Sequence, residues 1–297
     1  KLLAGIRPDL LILIDYPDFN FRVAAFAKKL NIPILYYISP QIWAWRTGRV
    51  KMIAERVDHM AVILPFEAEF YRAHDVPVTF VGHPLLDKSL ETDTDPNPVS
   101  LDTAKLIGLL PGSRPVEIQR LLPVMLEAAK FIHTREPDLK FAVSVAPMLD
   151  PTRVASVVKA HGVEAFVTMV QHPVEMLFKS CRLVVAASGT VTLQAAIAGV
   201  PMVIIYKVSP ISFRLGKLLV KVAHAGLINL IAQKTLVPEH IQNDAAPQKI
   251  AATVFDLLQN DVKLDQMRRD LADAVKKLGG PGASARVAEI ALNMLES

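Results

Sequence analysis

The sequence predicts an α/β protein with two open parallel sheets, one after the other along the chain. Short apolar runs alternate with amphipathic stretches over most of the 297 residues, and this alternation is typical of strand–helix units in parallel sheets. Clusters of Gly, Pro, Ser and Asp close many of the apolar runs. A polar stretch without apolar periodicity at 87–101 separates two such series, and we interpret it as a linker. We therefore predict one domain at 1–98 and a second domain at 99–297.

The first series is a set of short apolar runs, each bounded by turn residues. Such runs favour buried strands, because both faces of a parallel sheet are covered. The amphipathic stretches between them favour helices. The predicted strands are 10–14, 34–38, 59–64 and 78–81, and the predicted helices are 21–30, 49–57 and 68–71.

The second series repeats this pattern and ends in a helical tail. In open α/β sheets, ligands bind beyond the carboxyl ends of the strands, so the polar residues that close these runs are candidate site residues. The predicted strands are 106–110, 140–145, 165–170, 183–187 and 201–206, with helices at 116–135, 152–160, 174–180 and 191–198. The tail helices are 211–225, 246–258, 262–278 and 283–295.

Composition excludes several classes of protein. The chain is 52% hydrophobic, which is enough for packed cores and argues against disorder. A net charge of +4 favours anionic partners weakly, and nucleic-acid binding would need more clustered Lys and Arg. The single cysteine excludes an internal disulfide and a Cys-based zinc site, and the histidines have no metal-ligand spacing. We expect neither a metal ion nor a cofactor.

The loop after the first strand of the second series has the composition of a phosphate-binding turn. Gly112 permits a tight turn, and the N–H groups of Ser113 and the next helix can face an anion. Arg114 adds a forked donor that suits phosphate. An ordinary strand–helix turn with a surface arginine has the same residues, so this loop alone leaves both interpretations open.

A second loop of the same kind lies three predicted strands later. Small residues again precede a helix, and their hydroxyl groups can cap that helix or bind phosphate. Two such loops in one domain favour a nucleotide site, although neither matches the P-loop or the dinucleotide fingerprint. The candidate residues are Ser188, Gly189, Thr190 and Thr192.

The end of the first predicted strand carries two carboxylates and an amide. Asp15 can act as a general base on a hydroxyl group, and we predict that role for it. For Asp18 and Asn20 a plainer interpretation is available, because either side chain can cap the following helix.

Both tryptophans of the chain lie in one short segment beside cationic residues. Trp45 and Arg46 suit either a membrane interface or a sugar ring, and a core tryptophan beside solvated arginines is the plainer alternative. A basic stripe on the predicted helix 211–225 gives a second indication of an interface, although a surface helix packed on its own core shows the same pattern. The stripe comprises Arg214, Lys217, Lys221 and His224. His83, before the linker, can line a cleft between the domains.

The loops, the strand end and the tryptophan segment described above, together with further short segments, resemble the lipid-A-disaccharide synthase family of glycosyltransferases. The matches run in order across nearly the whole chain, and the Trp-Ala-Trp-Arg and Pro-Gly-Ser-Arg segments are specific. The matching segments are 14–20, 39–46, 64–67, 82–84, 109–118, 187–193, 201–210 and 229–232. The resemblance implies a GT-B fold, with two Rossmann-like domains and a cleft between them.

The resemblance also implies a reaction and a set of residue roles. The enzyme would condense UDP-2,3-diacylglucosamine with 2,3-diacylglucosamine 1-phosphate, giving the β-1,6 tetraacyl disaccharide 1-phosphate and UDP without a metal ion. Asp15 would be the base, Arg114 would neutralise the leaving diphosphate, and Asn229 would be a polar contact in the cleft. The second loop would cradle phosphate. The protein would lie on the cytoplasmic face of the inner membrane, and a homo-oligomer is left open.

The sequence departs from the family pattern in two places. The strand, acidic glycine loop and helix with which family members begin do not precede Lys1, so we expect an incomplete N-terminal domain. Gln194 stands where the family usually has Glu, whose carboxylate accepts from both ribose hydroxyls of UDP. We therefore predict that Gln194→Glu tightens UDP binding. The alternatives are another GT-B enzyme acting on a UDP-sugar, including an epimerase, and a non-catalytic relative that binds UDP or lipid.

Overall fold

The structure, a computed structural model, describes residues 2–88, 105–171, 173–219 and 222–296, without the side chains of residues 88, 212, 215 and 217–219. Two compact units emerge from the contacts within the chain. Each unit contains one open parallel sheet, so the predicted fold class of two parallel α/β sheets is confirmed. The predicted domain boundary at 98 and 99 lies outside the described residues.

The first unit contains a sheet of four parallel strands in the order β1-β2-β3-β4. All four strands lie within a residue or two of their predicted positions. The elements in chain order are α1 (Leu2–Ile6), β1 (Leu11–Ile14), α2 (Pro17–Lys29), β2 (Ile34–Tyr37), α3 (Ile42–Trp45), α4 (Val50–Arg56), β3 (His59–Val62), α5 (Pro65–Arg72), β4 (Val78–Phe80) and α6 (Leu85–Lys88). A short 3-10 turn at Thr47–Arg49 joins α3 to α4.

The second unit contains a sheet of six parallel strands in the order β10-β9-β8-β5-β6-β7. This is the doubly wound order of a Rossmann-like sheet, in which the chain moves outward from one central pair of strands in both directions. The elements are β5 (Leu106–Leu110), α7 (Pro115–Arg135), β6 (Lys140–Ser144), α8 (Pro151–Ala160), β7 (Val167–Val170), α9 (Val174–Ser180), β8 (Leu183–Ala187), α10 (Thr190–Ile197) and β9 (Met202–Tyr206).

The rest of the chain departs from the predicted helical tail in two places. The elements are α11 (Pro210–Leu219), α12 (Leu227–Ala232), β10 (Glu239–Ile241), α13 (Pro247–Leu258), α14 (Asp261–Lys276) and α15 (Ala283–Glu296). Strand β10 was not predicted, because its three residues form no apolar run; it adds an edge strand to β9. The predicted helix 211–225 was too long, since residues 222–225 are not helical. His224 is therefore not part of a basic stripe, and the side chains of Lys217 and Lys221 lie outside what is described.

The last helix, α15, packs on the first sheet. Side chains alternate along β2, so that Leu35 and Tyr37 face the side of the sheet that α15 covers. Val287 and Ala291 of α15 belong to the same buried cluster. Asp87 holds the amino end of α15, because its carboxylate accepts hydrogen bonds from the backbone N–H groups of residues 282–284 at 2.6–3.1 Å.

Gly82 permits the close approach of the chain that leads into α15. Its backbone lies in the left-handed region, with φ of 83°. A Cβ atom there would lie 2.9 Å from Nη2 of Arg286 and 3.2 Å from the carbonyl oxygen of Gly280. That guanidinium is fixed in place, because it also donates to the carbonyl oxygens of Val81, Gly280 and Pro281 at 2.8–2.9 Å.

We therefore expect Gly82→Ala to lower the free energy of unfolding by about 1–3 kcal/mol, from backbone strain and displacement of Arg286. Thermal unfolding measures the effect. The matched control is Gly48→Ala, because a Cβ atom at Gly48 meets nothing within 4 Å. Equal melting temperatures for the two variants would contradict the packing role of Gly82.

Candidate active site

The two predicted phosphate loops follow neighbouring strands of the second sheet. Strand β5 pairs directly with β8, and Leu110 at the end of β5 lies opposite Ala186. The chain leaves this pair in opposite directions, through β6 on one side and β9 on the other. Ligands of doubly wound sheets bind at such a reversal of strand order, beyond the carboxyl ends. The topology therefore brings both loops to the expected nucleotide position.

In the first loop, a carboxylate of the protein already contacts the amino end of α7. Glu117 Oε2 accepts hydrogen bonds from the backbone N–H groups of Ser113 at 2.9 Å and Arg114 at 3.1 Å. Its other oxygen pairs with the Arg114 guanidinium at 3.1 Å. Gly112, with φ of 110°, makes room for this carboxylate, since a Cβ atom there would overlap it. The N–H groups of this loop therefore face a carboxylate of the same chain.

Glu117 was not among the residues predicted from the sequence, although the pattern contains a signal for it. An acidic residue three positions after the residue that precedes a helix commonly accepts from the first N–H groups of that helix. The Arg114 side chain is 80% exposed, so its ion pair with Glu117 is a surface contact worth little energy. Arg114 can therefore leave Glu117 for a stronger anion at small cost.

The second loop leaves the amino end of α10 without a side-chain cap. Gly189 precedes the helix, and within the described residues no side chain caps the helix from that position. Thr190, the next residue, is exposed. Thr192 has a different role from the predicted phosphate contact, because it is fully buried and its hydroxyl donates to the Gly189 carbonyl at 2.8 Å. The Ser188 hydroxyl donates to the Ala225 carbonyl at 2.8 Å, which fixes the loop from its other side.

Gln194 lies on α10, one turn after this loop, beside a carboxylate. Its Nε2 atom donates to Glu175 Oε1 at 2.9 Å. Glu175 lies in the first turn of α9, which follows β7. This partner could not be identified from the sequence, because the two residues come from different strand–helix units. The pair presents an amide oxygen and a carboxylate side by side.

Asn229 is fully buried, and both polar atoms of its side chain are used within the protein. Its oxygen accepts from the N–H groups of Leu236 and Val237, and its Nδ2 atom donates to Val237 O and to Glu239 Oε1, all at 2.7–3.1 Å. These contacts favour a positioning role, and the predicted substrate contact stays a prediction. An amide with four internal bonds cannot contact a ligand unless some of those bonds break.

Asn229 acts on the second loop through Glu239. The Glu239 carboxylate accepts from the N–H groups of Ala225 and Gly226 at 2.8 and 3.0 Å, as well as from Asn229. The carbonyl of Ala225 in turn accepts from Ser188. A continuous set of hydrogen bonds therefore connects the buried amide to the loop after β8.

In the first unit, Asp15 lies at the carboxyl end of β1 with an exposed side chain. Asp15 and Tyr16 both have left-handed backbones, with φ of 46° and 41°. Such conformations cost energy and persist where the surroundings hold them. The Asp15 carbonyl accepts from Asn20 Nδ2 and from the Tyr36 hydroxyl, both at 2.6 Å, and its N–H donates to the Tyr37 carbonyl at 3.0 Å.

This turn has the form expected of a functional site, because a strained backbone presents a carboxylate to solvent. Asn20 also donates to the Ile14 carbonyl at 3.0 Å, so it holds the turn and does not cap α2. Asp18 does not cap α2 either; it pairs with Arg49 at 3.6 Å on the surface. Burial raises the pKa of Tyr36 well above its ordinary value, so its hydroxyl remains a donor to Asp15.

The two tryptophans of this unit have different surroundings. Trp45 is 41% exposed, and the Arg46 guanidinium lies 3.9 Å from the centre of its ring. This pair is accessible to a ligand or a surface. Trp43 is half-buried, its indole N–H donates to Glu67 at 3.0 Å, and its ring meets Phe66 edge-on.

His83 is buried, and its hydrogen bonds hold the chain segment that leads into α15. Its backbone N–H donates to the Leu278 carbonyl at 3.0 Å, and its Nδ1 atom accepts from the N–H of Leu85 at 3.2 Å. Burial lowers the pKa of the ring to about 4, so the ring is neutral at physiological pH. These contacts favour a structural role for His83 within the first unit.

Neither a metal cluster nor a membrane span is found in the part of the chain that the structure describes. Within the described ranges, no three side chains of His, Cys, Asp or Glu come together as metal ligands. The helices of these ranges are all too short or too polar to cross a bilayer.

Comparison with known proteins decides the family. A sequence model of the family described as lipid-A-disaccharide synthetase matches residues 1–294. The chain belongs to the lipid-A-disaccharide synthetase family. Lipid-A-disaccharide synthase of Trichlorobacter lovleyi is 47% identical over 300 residues, which cover 100% of this chain and 78% of the relative. The same enzyme of Geobacter metallireducens is 46% identical over 299 residues, which cover 99% of this chain and 77% of the relative.

As a member of the lipid-A-disaccharide synthetase family, the chain is a glycosyltransferase of lipid A biosynthesis, as predicted. The structure of UDP-GlcNAc 2-epimerase from Neisseria meningitidis bound to UDP-GlcNAc has a TM-score of 0.67 at 12% identity, covering 98% of this chain and 78% of that one. This likeness shows the fold alone, and it confirms the predicted GT-B class. The epimerase alternative shares the fold, whereas the family match favours disaccharide formation.

Proposed function

We propose that the chain transfers 2,3-diacylglucosamine from UDP to the 6-hydroxyl of 2,3-diacylglucosamine 1-phosphate. The observation that carries this proposal is the family match over residues 1–294. The acceptor oxygen forms a bond to C1 of the donor sugar while the bond from C1 to the diphosphate breaks. The products are the β-1,6 tetraacyl disaccharide 1-phosphate and UDP, and the hydroxyl proton passes to a base.

We assign that base to Asp15. Its exposed carboxylate and fixed backbone support the assignment, since a base must reach the hydroxyl proton in a defined geometry. We assign Trp45 and Arg46 to the acceptor as well. A ring face beside a guanidinium suits a sugar that carries a phosphate.

The donor is assigned to the loops at the junction of β5 and β8. The uncapped amino end of α10 can receive the diphosphate, because its N–H groups carry a partial positive charge. Arg114 neutralises the charge that develops on the departing UDP. We expect the diphosphate to compete with Glu117 for the Arg114 guanidinium, since both are anions.

Mass spectrometry of the reaction tests the proposal. The protein is supplied with UDP-2,3-diacylglucosamine and 2,3-diacylglucosamine 1-phosphate in detergent, with EDTA present in parallel samples. We expect the tetraacyl disaccharide 1-phosphate in both. Product that disappears with EDTA would contradict metal-independent transfer. A folded protein that binds UDP but forms no product would favour a different acceptor or a non-catalytic relative.

The contact with Glu175 changes the expected effect of Gln194→Glu. The new carboxylate would lie about as close to Glu175 as the present amide, at 2.9 Å, and like charges at that distance repel. The repulsion would turn the new carboxylate away from the position that faces the ribose, so we expect Gln194→Glu alone to weaken UDP binding by roughly two- to five-fold at this exposed site. The double variant Glu175→Gln Gln194→Glu should restore it. Calorimetric titration with UDP measures both, and tighter binding by the single variant would instead support the ribose contact predicted from the sequence.

We further propose that the protein works at the surface of the inner membrane, where acylated substrates are held. Ile211 on α11 is 74% exposed and Arg214, almost one turn later, is also exposed. An exposed apolar residue beside a cation suits a membrane interface. Flotation with anionic and neutral vesicles tests this, and we expect binding to the anionic vesicles that salt weakens. Equal recovery with both kinds of vesicle would contradict the role of the cation.

A further inference from the structure

A buried carboxylate in the first unit lies under the segment that carries both tryptophans. Glu67 on α5 is 1% exposed. Its Oε1 atom accepts from the indole N–H of Trp43 at 3.0 Å, and its Oε2 atom accepts from the N–H groups of Ile63 and Leu64 at 3.3 and 3.0 Å. Burying a carboxylate is costly unless hydrogen bonds replace its water. Burial raises the pKa of Glu67 to about 7, and the three donors oppose that rise.

The hydrogen bond from Trp43 to Glu67 is not required to cap α5. Ile63 and Leu64 directly precede that helix, and one acceptor oxygen satisfies both of their N–H groups. The second oxygen reaches a different part of the chain. Only a carboxylate offers two acceptor oxygens, because the amide of glutamine would place donors against one set of N–H groups.

A second residue of α5 holds the same segment. Tyr71 is fully buried and lies four positions after Glu67, so both side chains are on one face of the helix. Its hydroxyl lies 2.8 Å from the hydroxyl of Ser39. Ser39 donates its own proton to the Pro40 carbonyl at 2.9 Å, so Tyr71 is the donor of this pair. Phe66 adds the edge-on ring contact with Trp43.

These contacts hold the short helix α3 at a residue before its start and at a residue within it. Ser39 lies three residues before α3, and Trp43 is its second residue. Trp45 ends the helix, and Arg46 follows with its guanidinium over the Trp45 ring. A helix of four residues has little stability of its own, so its position depends on such tertiary contacts.

We propose that Glu67 is a positioning residue for acceptor recognition, acting through Trp43 to hold the Trp45–Arg46 pair in place. The proposal rests on the proposed function, which assigns that pair to the acceptor. Glu67 itself is buried and does not contact substrate.

Tryptophan fluorescence tests the structural half of the proposal without any need for activity. The chain has two tryptophans, and both lie in this segment. Trp45→Phe leaves Trp43 as the reporter. In that background we expect Glu67→Gln to increase acrylamide quenching of Trp43 about two-fold. The matched control is Glu69→Gln, an exposed glutamate of the same helix, which should leave quenching unchanged. Equal quenching in both variants would overturn the positioning role.

Steady-state kinetics test the functional half, with both tryptophans present. We expect Glu67→Gln to raise KM for the acceptor five-fold or more and to leave KM for the UDP-sugar within two-fold. Tyr71→Phe keeps the ring in the core and should give a smaller change in the same direction. A fall in kcat alone, with both KM values unchanged, would mean a merely structural role and would overturn the proposal.

The two experiments separate failure of the inference from failure of the proposed function. If the wild-type protein forms no disaccharide, the reaction is wrong, and quenching still decides whether Glu67 holds Trp43. If Glu67→Gln does not fold, Tyr71→Phe and Trp43→Phe take its place in the kinetic test. Unchanged acceptor KM in both would overturn the inference.

Discussion

Replacement of Asp15 by Asn should slow transfer by orders of magnitude while leaving the protein folded. The amide keeps the size of the side chain and tolerates the left-handed backbone at this position. It removes the group that accepts the proton of the acceptor hydroxyl. We expect kcat to fall by about 10²- to 10⁴-fold, the range for loss of a general base. The mass-spectrometric assay measures the rate, and calorimetry should find UDP binding unchanged.

Asp18→Asn is the matched control, because this neighbouring carboxylate is exposed and pairs only loosely with Arg49. It should retain near wild-type activity. If Asp18→Asn lost as much activity as Asp15→Asn, the charge of the whole turn would matter, and the assignment of Asp15 as the base would be wrong.

Replacement of Asn229 by Ala should produce the largest loss of stability. The change leaves two N–H groups, one carbonyl and the Glu239 carboxylate without their shared partner, all around a fully buried site. Each unsatisfied buried group costs about 1–3 kcal/mol, so we expect a total loss of roughly 3 kcal/mol or more. A fall of roughly 10 °C in the melting temperature follows for a unit of this size.

Asn243→Ala is the matched control for this prediction, because Asn243 is exposed in the same unit. Its melting temperature should stay within a degree or two of the wild-type value. A stable Asn229→Ala protein with strongly reduced turnover would instead support the direct substrate contact that the sequence suggested.

The fold was predictable because its strands are apolar and its loops are not. Strand β5 is buried at every residue, and a short apolar run between turn residues is typical of a strand in a covered parallel sheet. Strand β10 was not predictable in this way, because Glu239 and His240 make it polar. A three-residue edge strand forms through pairing with β9, and its own sequence carries no signal for that pairing.

The candidate site was predictable only in part. The loops around Arg114 and Ser188 follow apolar runs, so their position at the sheet edge could be inferred. The partners that decide what each residue does are distant in sequence. Gln194 meets Glu175 from another helix, and Trp43 meets Glu67 from another strand–helix unit. A sequence motif identifies the polar residues of a site. It does not show that Asn229 is buried and Asp15 exposed, because burial depends on tertiary packing.

The packing of α15 on the first sheet has a consequence during synthesis on the ribosome. Asp87 and Ser284, which bond at the start of α15, are 197 positions apart in sequence. At translation rates of about 5–20 residues per second, roughly 10–40 s pass between the synthesis of the two residues. During that interval the face of β2 that carries Leu35 and Tyr37 lacks its covering helix. We therefore expect the nascent first unit to expose this apolar face, which chaperones can bind, until α15 emerges.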